Sequence, residues 1–266
     1  MEVVDPDGKY KSKAVLPFLG RRLVEWQLEE LRQSPFVGNL YLLGLAEADL
    51  PLDDPAVNYV PVDIAAEFQD KLTAGLAYLE SRGEKPELIV VSSCDAPGIR
   101  VVEINQFFEK AADCEGAEFI LSLVLEDVAE AAFPGSGRVV VRFRDGPVFP
   151  GELYILSPRV IRMQSDVIRQ LSTRRRQINR QKQKIGLGPI LRYIARKPRV
   201  WGLILGYALH LATLRGAEKV LSGAFGISVR GVIIPDAGFG MDMDLPEDYE
   251  RLKDYVRRTK LEKTET

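Results

Sequence analysis

Strands and helices alternate through the first half of this chain, and that alternation constrains its fold more than any other feature. The spacing of Leu23, Trp26, Leu28 and Leu31 predicts a helix over Arg22 to Gln33. Apolar runs predict strands at Asn39 to Leu45 and Val57 to Val62, a helix follows over Ala65 to Arg82, and another strand begins at Leu88. A helix over Val102 to Cys114 and a strand over Phe119 to Val124 complete the series. This order implies a mainly parallel sheet covered on both faces, an α/β fold. The pattern then changes. Arg138 to Phe143 and Glu152 to Leu156, around an Asp145-Gly146-Pro147 turn, predict an antiparallel addition to the sheet. A largely helical excursion runs over about 158–223, followed by a strand at Ile227 to Pro235 and a helix from Pro246 to about Lys260. Without internal repeats, the 266 residues fit a single domain spanning 1–266 with one helical insertion.

The stretch Leu88-Ile-Val-Val-Ser-Ser-Cys-Asp95-Ala-Pro97 reads as a buried central strand that breaks into small polar residues. Ligands of open α/β sheets bind just beyond the carboxyl ends of the strands. Asp95 therefore stands where a carboxylate holds a metal ion against a phosphorylated ligand, or where it caps a following helix. Either way a buried carboxylate needs a partner.

Composition excludes several classes. A formal net charge of −2 gives no global case for a nucleic-acid binder. Cys94 and Cys114 fall in separate predicted elements and form neither a metal pair nor a disulfide framework. Met1-Glu2-Val3-Val4-Asp5 lacks the basic and apolar regions of a signal peptide. The longest apolar run, Val200 to Leu214, contains His210 and is short for a membrane span, so a cytoplasmic protein is expected.

The excursion is strongly basic, with Arg174-Arg175-Arg176, Arg180, Lys182, Lys184, Arg192, Arg196, Lys197 and Arg199 close together. With only Tyr193 and Trp201 as nearby aromatics, a solvated helical face is expected over a nucleic-acid surface. The Trp201 to Leu209 stretch reads as a packing helix, while peripheral membrane contact through 174–214 stays open. His210 is expected to be packed within that apolar helix rather than catalytic. Near the end, Asp242-Met-Asp244-Leu-Pro246-Glu247-Asp248 combines a helix start with two alternating carboxylates. Glu247 and Asp248 suit the positive end of a helix opened by Pro246. Asp242 and Asp244 are able to share a divalent cation.

Four segments together resemble the MobA-like nucleotidyltransferases. Lys13-Ala-Val-Leu-Pro-Phe-Leu-Gly20-Arg-Arg-Leu resembles their lysine segment, and Val90 to Pro97 their strand end with an aspartate. Gly151-Glu152-Leu-Tyr154 and Asp242-Met-Asp244-Leu-Pro-Glu-Asp248 resemble two later motifs, in the same order, over about residues 10 to 255. The resemblance implies a three-layer, Rossmann-like mixed sheet of the nucleotide-diphospho-sugar transferase type. It implies binding of a nucleoside triphosphate with Mg²⁺, and transfer of an NMP unit to a small phosphorylated acceptor with release of pyrophosphate. Carried over by position, Lys13 and Asp95 are the catalytic pair, Lys13 contacting the triphosphate. Asp95, Asp242 and Asp244 hold the metal, and Asp70 and Glu152 stand at nucleotide-contacting positions.

Three departures accompany the match. Members open with an apolar strand and a glycine-rich loop that cradles phosphates, whereas Met1 falls where that loop has already ended. Either the natural start lies upstream, which is the expectation, or the protein is shortened and its sheet left exposed. Asp70 and Glu152 both replace asparagines, adding negative charge near a polyphosphate. Two other functions therefore stand beside nucleotidyl transfer: a degenerate relative that binds nucleotide or partner without turnover, and a sugar transferase using a nucleotide-sugar.

Overall fold

A computed structural model describes residues 4–163 and 200–262. Most of the basic excursion, including Arg174–Arg176, lies outside the described residues. The chain enters through one helical turn at Lys13–Val15, where the Ser12 hydroxyl accepts from the Ala14 N–H at 3.3 Å. A small hairpin of β1 (Pro17–Phe18) and β2 (Arg21–Arg22) follows. Both residues of its turn lie at positive φ, Leu19 at 48° and Gly20 at 81°, the mirror-image geometry that matches strand twist. In α1 (Leu23–Gln33) the Glu25 carboxylate accepts from the Arg22 N–H at 2.5 Å, closing the first turn. Its apolar stripe buries Leu23, Trp26, Leu28 and Leu31.

Next come β3 (Leu40–Leu43), β4 (Val57–Val60), α2 (Phe68–Ser81), β5 (Ile89–Ser92), α3 (Val101–Ala112), β6 (Phe119–Leu125) and α4 (Glu126–Ala132). A hairpin of β7 (Val141–Phe143) and β8 (Gly146–Leu156) leads to α5 (Pro158–Arg162), capped by the Ser157 hydroxyl, which accepts from the Val160 N–H at 3.2 Å. After the gap in the description stand α6 (Trp201–Ala208), α7 (Leu214–Phe225), β9 (Val229–Ile234) and α8 (Pro246–Val256). Five strands form the main sheet, in the order β5-β8-β6-β9 with β7 also paired to β8. Leu31 of α1 and Ile104, Phe107 and Ala111 of α3 pack on one face, against Ile120, Leu153, Ile155 and Ile234. Leu72 and Leu76 of α2 and Val160 and Ile161 of α5 pack with Leu156 on the other. The result is three layers, a mixed α/β architecture.

The sheet corrects the sequence reading in two ways. The hairpin is no addition at an edge: β8 lies in the middle, antiparallel to both β5 and β6, so only β6 and β9 pair in parallel within this sheet. An 11-residue strand is long enough to reach both neighbours across a bulge between Leu121 and Leu123. Nor is β5 central. Among the described residues it pairs only with β8, while β3 and β4 form a separate parallel pair, and Val90 keeps 41% of its surface exposed. The apolar run looked buried because it is rich in β-branched residues, which mark strands but do not report their neighbours.

The apolar excursion is also corrected. No residue of α6 is buried, and His210 is exposed in the turn after it, at a positive φ of 57°.

Candidate active site

The end of β5 and the segment before α8 meet through the backbone, the Met243 N–H donating to the Asp95 carbonyl at 2.9 Å. Alternation then selects which side chains face the site. Met241 and Met243 point into a core with Phe18, Leu23 and Trp26, which leaves Asp242 and Asp244 together on the opposite side. Asp248 fixes the segment from below by accepting the N–H groups of Asp244 at 3.2 Å and Leu245 at 2.8 Å. Pro246 opens the helix, as its sequence implies.

One carboxylate oxygen from each of Asp95, Asp242 and Asp244 lies within 4.8 Å of the others. Two cations answer them. The Lys13 ammonium stands 3.2 Å from Asp95 Oδ2 and also pairs with Asp244. Arg138 Nη1 lies 2.5 Å from Asp242 Oδ1, and its Nη2 donates to the Asp242 carbonyl at 3.2 Å. Burial raises the pKa of Asp95; Lys13 opposes that, and Asp242 and Asp244 reinforce it. Burial pulls Lys13 down, but Asp95 and Asp244 outweigh it, so the ammonium holds its proton more tightly than usual. Three negative groups thus crowd one point and are only partly neutralised.

This donor set fits a small hard cation. Three carboxylate oxygens converge from two separated segments, the chemistry preferred by Mg²⁺. The buried Ser93 Oγ, two residues before Asp95, has no hydrogen-bond partner in the protein, which adds capacity for a bound ligand or water.

The other expected residues lie differently. Glu152 is buried on β8, its charge acting on Arg138, and its carbonyl accepts from the Ser92 hydroxyl at 3.1 Å and the Ser93 N–H at 3.3 Å. Asp70 is exposed in the first turn of α2. Its neighbour Lys71 turns toward the strand ends instead, donating to the Ile64 carbonyl at 2.7 Å. Burial pushes the Cys94 thiol up to about 11, which makes it a poor nucleophile. Arg138 was not anticipated. It lies 104 residues from Asp242 and opens an apolar run that reads only as a strand.

The architecture has solved counterparts. A hypothetical transferase from Thermus thermophilus superposes with a TM-score of 0.69 over 92% of this chain and 93% of its own, at 21% identity. The fold is the one shared by nucleotidyltransferases. A CMP:2-keto-3-deoxy-manno-octonic acid synthetase solved with CTP matches with a TM-score of 0.55 and 13% identity, over 92% of both chains. A 4-diphosphocytidyl-2C-methyl-D-erythritol synthase from Anaerococcus prevotii matches with a TM-score of 0.50 and 11% identity, over 92% and 93%. No protein-family model and no curated protein matches the sequence.

Proposed function

We propose that this protein is a Mg²⁺-dependent nucleotidyltransferase, joining an NMP unit from a nucleoside triphosphate to a small phosphorylated acceptor. The observation that carries the reading is the convergence of Asp95, Asp242 and Asp244 beside Lys13, on a fold that nucleotidyltransferases use. In the reaction an acceptor phosphate oxygen bonds to the α-phosphorus as the bond from that phosphorus to the α,β-bridging oxygen breaks, and the β- and γ-phosphates leave together as pyrophosphate. A bound divalent ion supplies charge neutralisation on the phosphate oxygens.

The chain's own groups supply position and charge. Asp95, Asp242 and Asp244 are the ligands for the ion. Arg138 grips both a side-chain and a backbone oxygen of Asp242 and so fixes its orientation. Lys13 is counter-ion to Asp95 and Asp244, and its ammonium would also reach non-bridging oxygens of a bound triphosphate. Transfer of this kind needs positioning and neutralisation rather than a protein nucleophile.

The test is a panel of the four common NTPs with and without Mg²⁺, read first as binding by calorimetry and then as pyrophosphate release with phosphorylated acceptors. One NTP is expected to bind only with Mg²⁺ and to lose that binding in Asp242→Asn. Mg²⁺-dependent binding without pyrophosphate from any acceptor would favour a degenerate binder. Transfer from a nucleotide-sugar without pyrophosphate would favour a sugar transferase. Binding that ignores both Mg²⁺ and Asp242 would overturn the site.

A further inference from the structure

The helix α6 is anomalous for a protein in water. Residues 200–214 contain no charged side chain, yet Trp201, Leu205, Leu209 and Leu211 are 64%, 62%, 58% and 61% exposed. Trp201, Leu205 and Leu209 recur every fourth position, so they form one stripe along the helix and the turn that ends it. Four large apolar groups displayed together form the kind of patch that marks an interaction surface rather than ordinary exposure. The helix is nevertheless held in place. Tyr207 Oη accepts from the Arg142 N–H at 3.4 Å, the Leu211 N–H donates to the Gly206 carbonyl at 2.7 Å, and Ala212 is buried.

Charge indicates what covers the stripe. Between Asp166 and Glu218 the sequence carries twelve lysines and arginines and no acid, so the rest of this net-negative chain has the opposite sign. Around the docked end of α6, Arg144 and Arg215 are exposed; the Arg144 N–H donates to the Ala212 carbonyl at 2.8 Å. Two acids nearby are already engaged: Asp145 accepts from the Leu214 N–H at 3.0 and 3.1 Å, and Glu126 is paired with Arg142. A second copy of the chain would bring two basic surfaces together. A surface that is apolar within and anionic at its boundary satisfies both features.

We propose that α6 and its following turn form an interfacial anchor that seats this protein on an anionic lipid bilayer. Trp201 and the leucines enter the boundary between headgroups and acyl chains, with the flanking cations among the headgroup phosphates. The stripe is too short to span, and among the described residues no helix is long and apolar enough to cross a membrane. The hairpin strand under α6 is β7, three residues beyond the Arg138 that holds Asp242. Seating at α6 therefore brings the bilayer toward the same hairpin that serves the acidic site.

The test is sedimentation of the full chain with vesicles of phosphatidylcholine alone and of phosphatidylcholine with about 30% phosphatidylglycerol, in low and high salt. Binding is expected only with the anionic vesicles, weakening as salt rises. Leu205→Glu/Leu209→Glu is expected to reduce the partition coefficient roughly tenfold or more, with an unchanged thermal midpoint, because both side chains are exposed. The proposal is overturned by no binding to anionic vesicles, by binding unaffected by the double variant, or by a dimer in solution that the variant dissolves. Phosphatidylglycerol binding that duplex RNA displaces while the double variant still binds RNA would assign the cations to nucleic acid and also overturn it. None of these readouts requires nucleotide, so failure here is separate from failure of the catalytic reading.

Discussion

Two clusters among the described residues gather carboxylates beside a lysine, one held mainly by side chains and the other tied largely to backbone. In the first, Lys13 and Arg138 answer Asp95, Asp242 and Asp244 through side chains that meet one another. In the second, behind α3, the charges are tied down by backbone. Lys260 donates to the carbonyls of Ile99 at 2.8 Å and Trp26 at 3.3 Å and stands 3.1 Å from Glu30. Glu30 accepts from the Val101 N–H at 2.6 Å. Glu103 accepts from Arg100 at 2.9 Å and from the Gly238 N–H at 3.3 Å. Gly238 is required by that contact, since a Cβ there would fall 2.2 Å from Glu103 Oε2. The second cluster is a lock joining the ends of α1, α3 and β9. The first is, on the proposed function, a set of metal ligands whose present partners are replaceable. Backbone bonding, more than burial or charge count, separates the two.

The largest effect should come from breaking the replaceable set. Asp95→Asn is expected to lower Mn²⁺ affinity, followed by electron spin resonance, by about 100-fold or more, and turnover with it. Glu103→Gln should leave Mn²⁺ affinity unchanged. Equal losses in both variants would mean that the triad is no more a metal site than the lock is.

Stability should distinguish the two lysines next. Lys13→Met leaves three carboxylates facing one another and is expected to cost about 3 kcal/mol in chelator, a loss that millimolar Mg²⁺ restores. Lys260→Met should cost about as much, because Glu30 and two buried carbonyls lose their donor, but Mg²⁺ should restore nothing. Denaturant midpoints with and without Mg²⁺ decide the matter; rescue of both variants, or of neither, contradicts the distinction.

The lock also has a pH dependence of its own. Burial raises Glu103 from its ordinary 4.5 to about 7, against the pull of Arg100, so the fold favours the protonated carboxyl. A raised pKa contributes stability that is fully present below pH 4.5 and is lost as pH rises through about 7. The loss is about 3 kcal/mol at most, from ~1.4 kcal/mol per pH unit. Subtracting the Glu103→Gln stability curve from that of the natural chain should reveal this fall between those pH values and a flat line above. A difference curve flat throughout would show that Glu103 titrates alike in the folded and unfolded chain, with no shift from burial.

Much of the first cluster was legible in the sequence and almost none of the second. Asp95 sits where an apolar run breaks, and such breaks face the ends of a sheet; Asp242 and Asp244 alternate ahead of a helix start, and Lys13 was reached through the family resemblance. The helices α1, α2, α3 and α8 were likewise visible through period and caps. Arg138 was hidden because a salt bridge across 104 residues leaves no local trace. The middle position of β8 was hidden for a related reason: strand composition reports a pleated, half-buried surface, not which strand lies alongside. Exposure of α6 ran against the rule that apolar helices pack, and such a breach of a local rule is expected at functional surfaces.

Asp70 supplies the smallest effect and a third kind of carboxylate to set against both clusters. It is exposed, and it lies in the first turn of α2, where the positive end of the helix favours a negative charge. By resemblance it stands where an asparagine contacts nucleotide. If its role is at the helix end, Asp70→Asn should cost about 0.5 kcal/mol of stability and change Mg²⁺-dependent nucleotide affinity by less than about twofold, since exposed charges are screened. If it faces the polyphosphate, removing its charge should instead tighten nucleotide binding about tenfold or more at low salt, an effect that shrinks as salt rises. The second result would extend the ligand set from the strand ends to α2, and the replaceable cluster would then be larger than the triad.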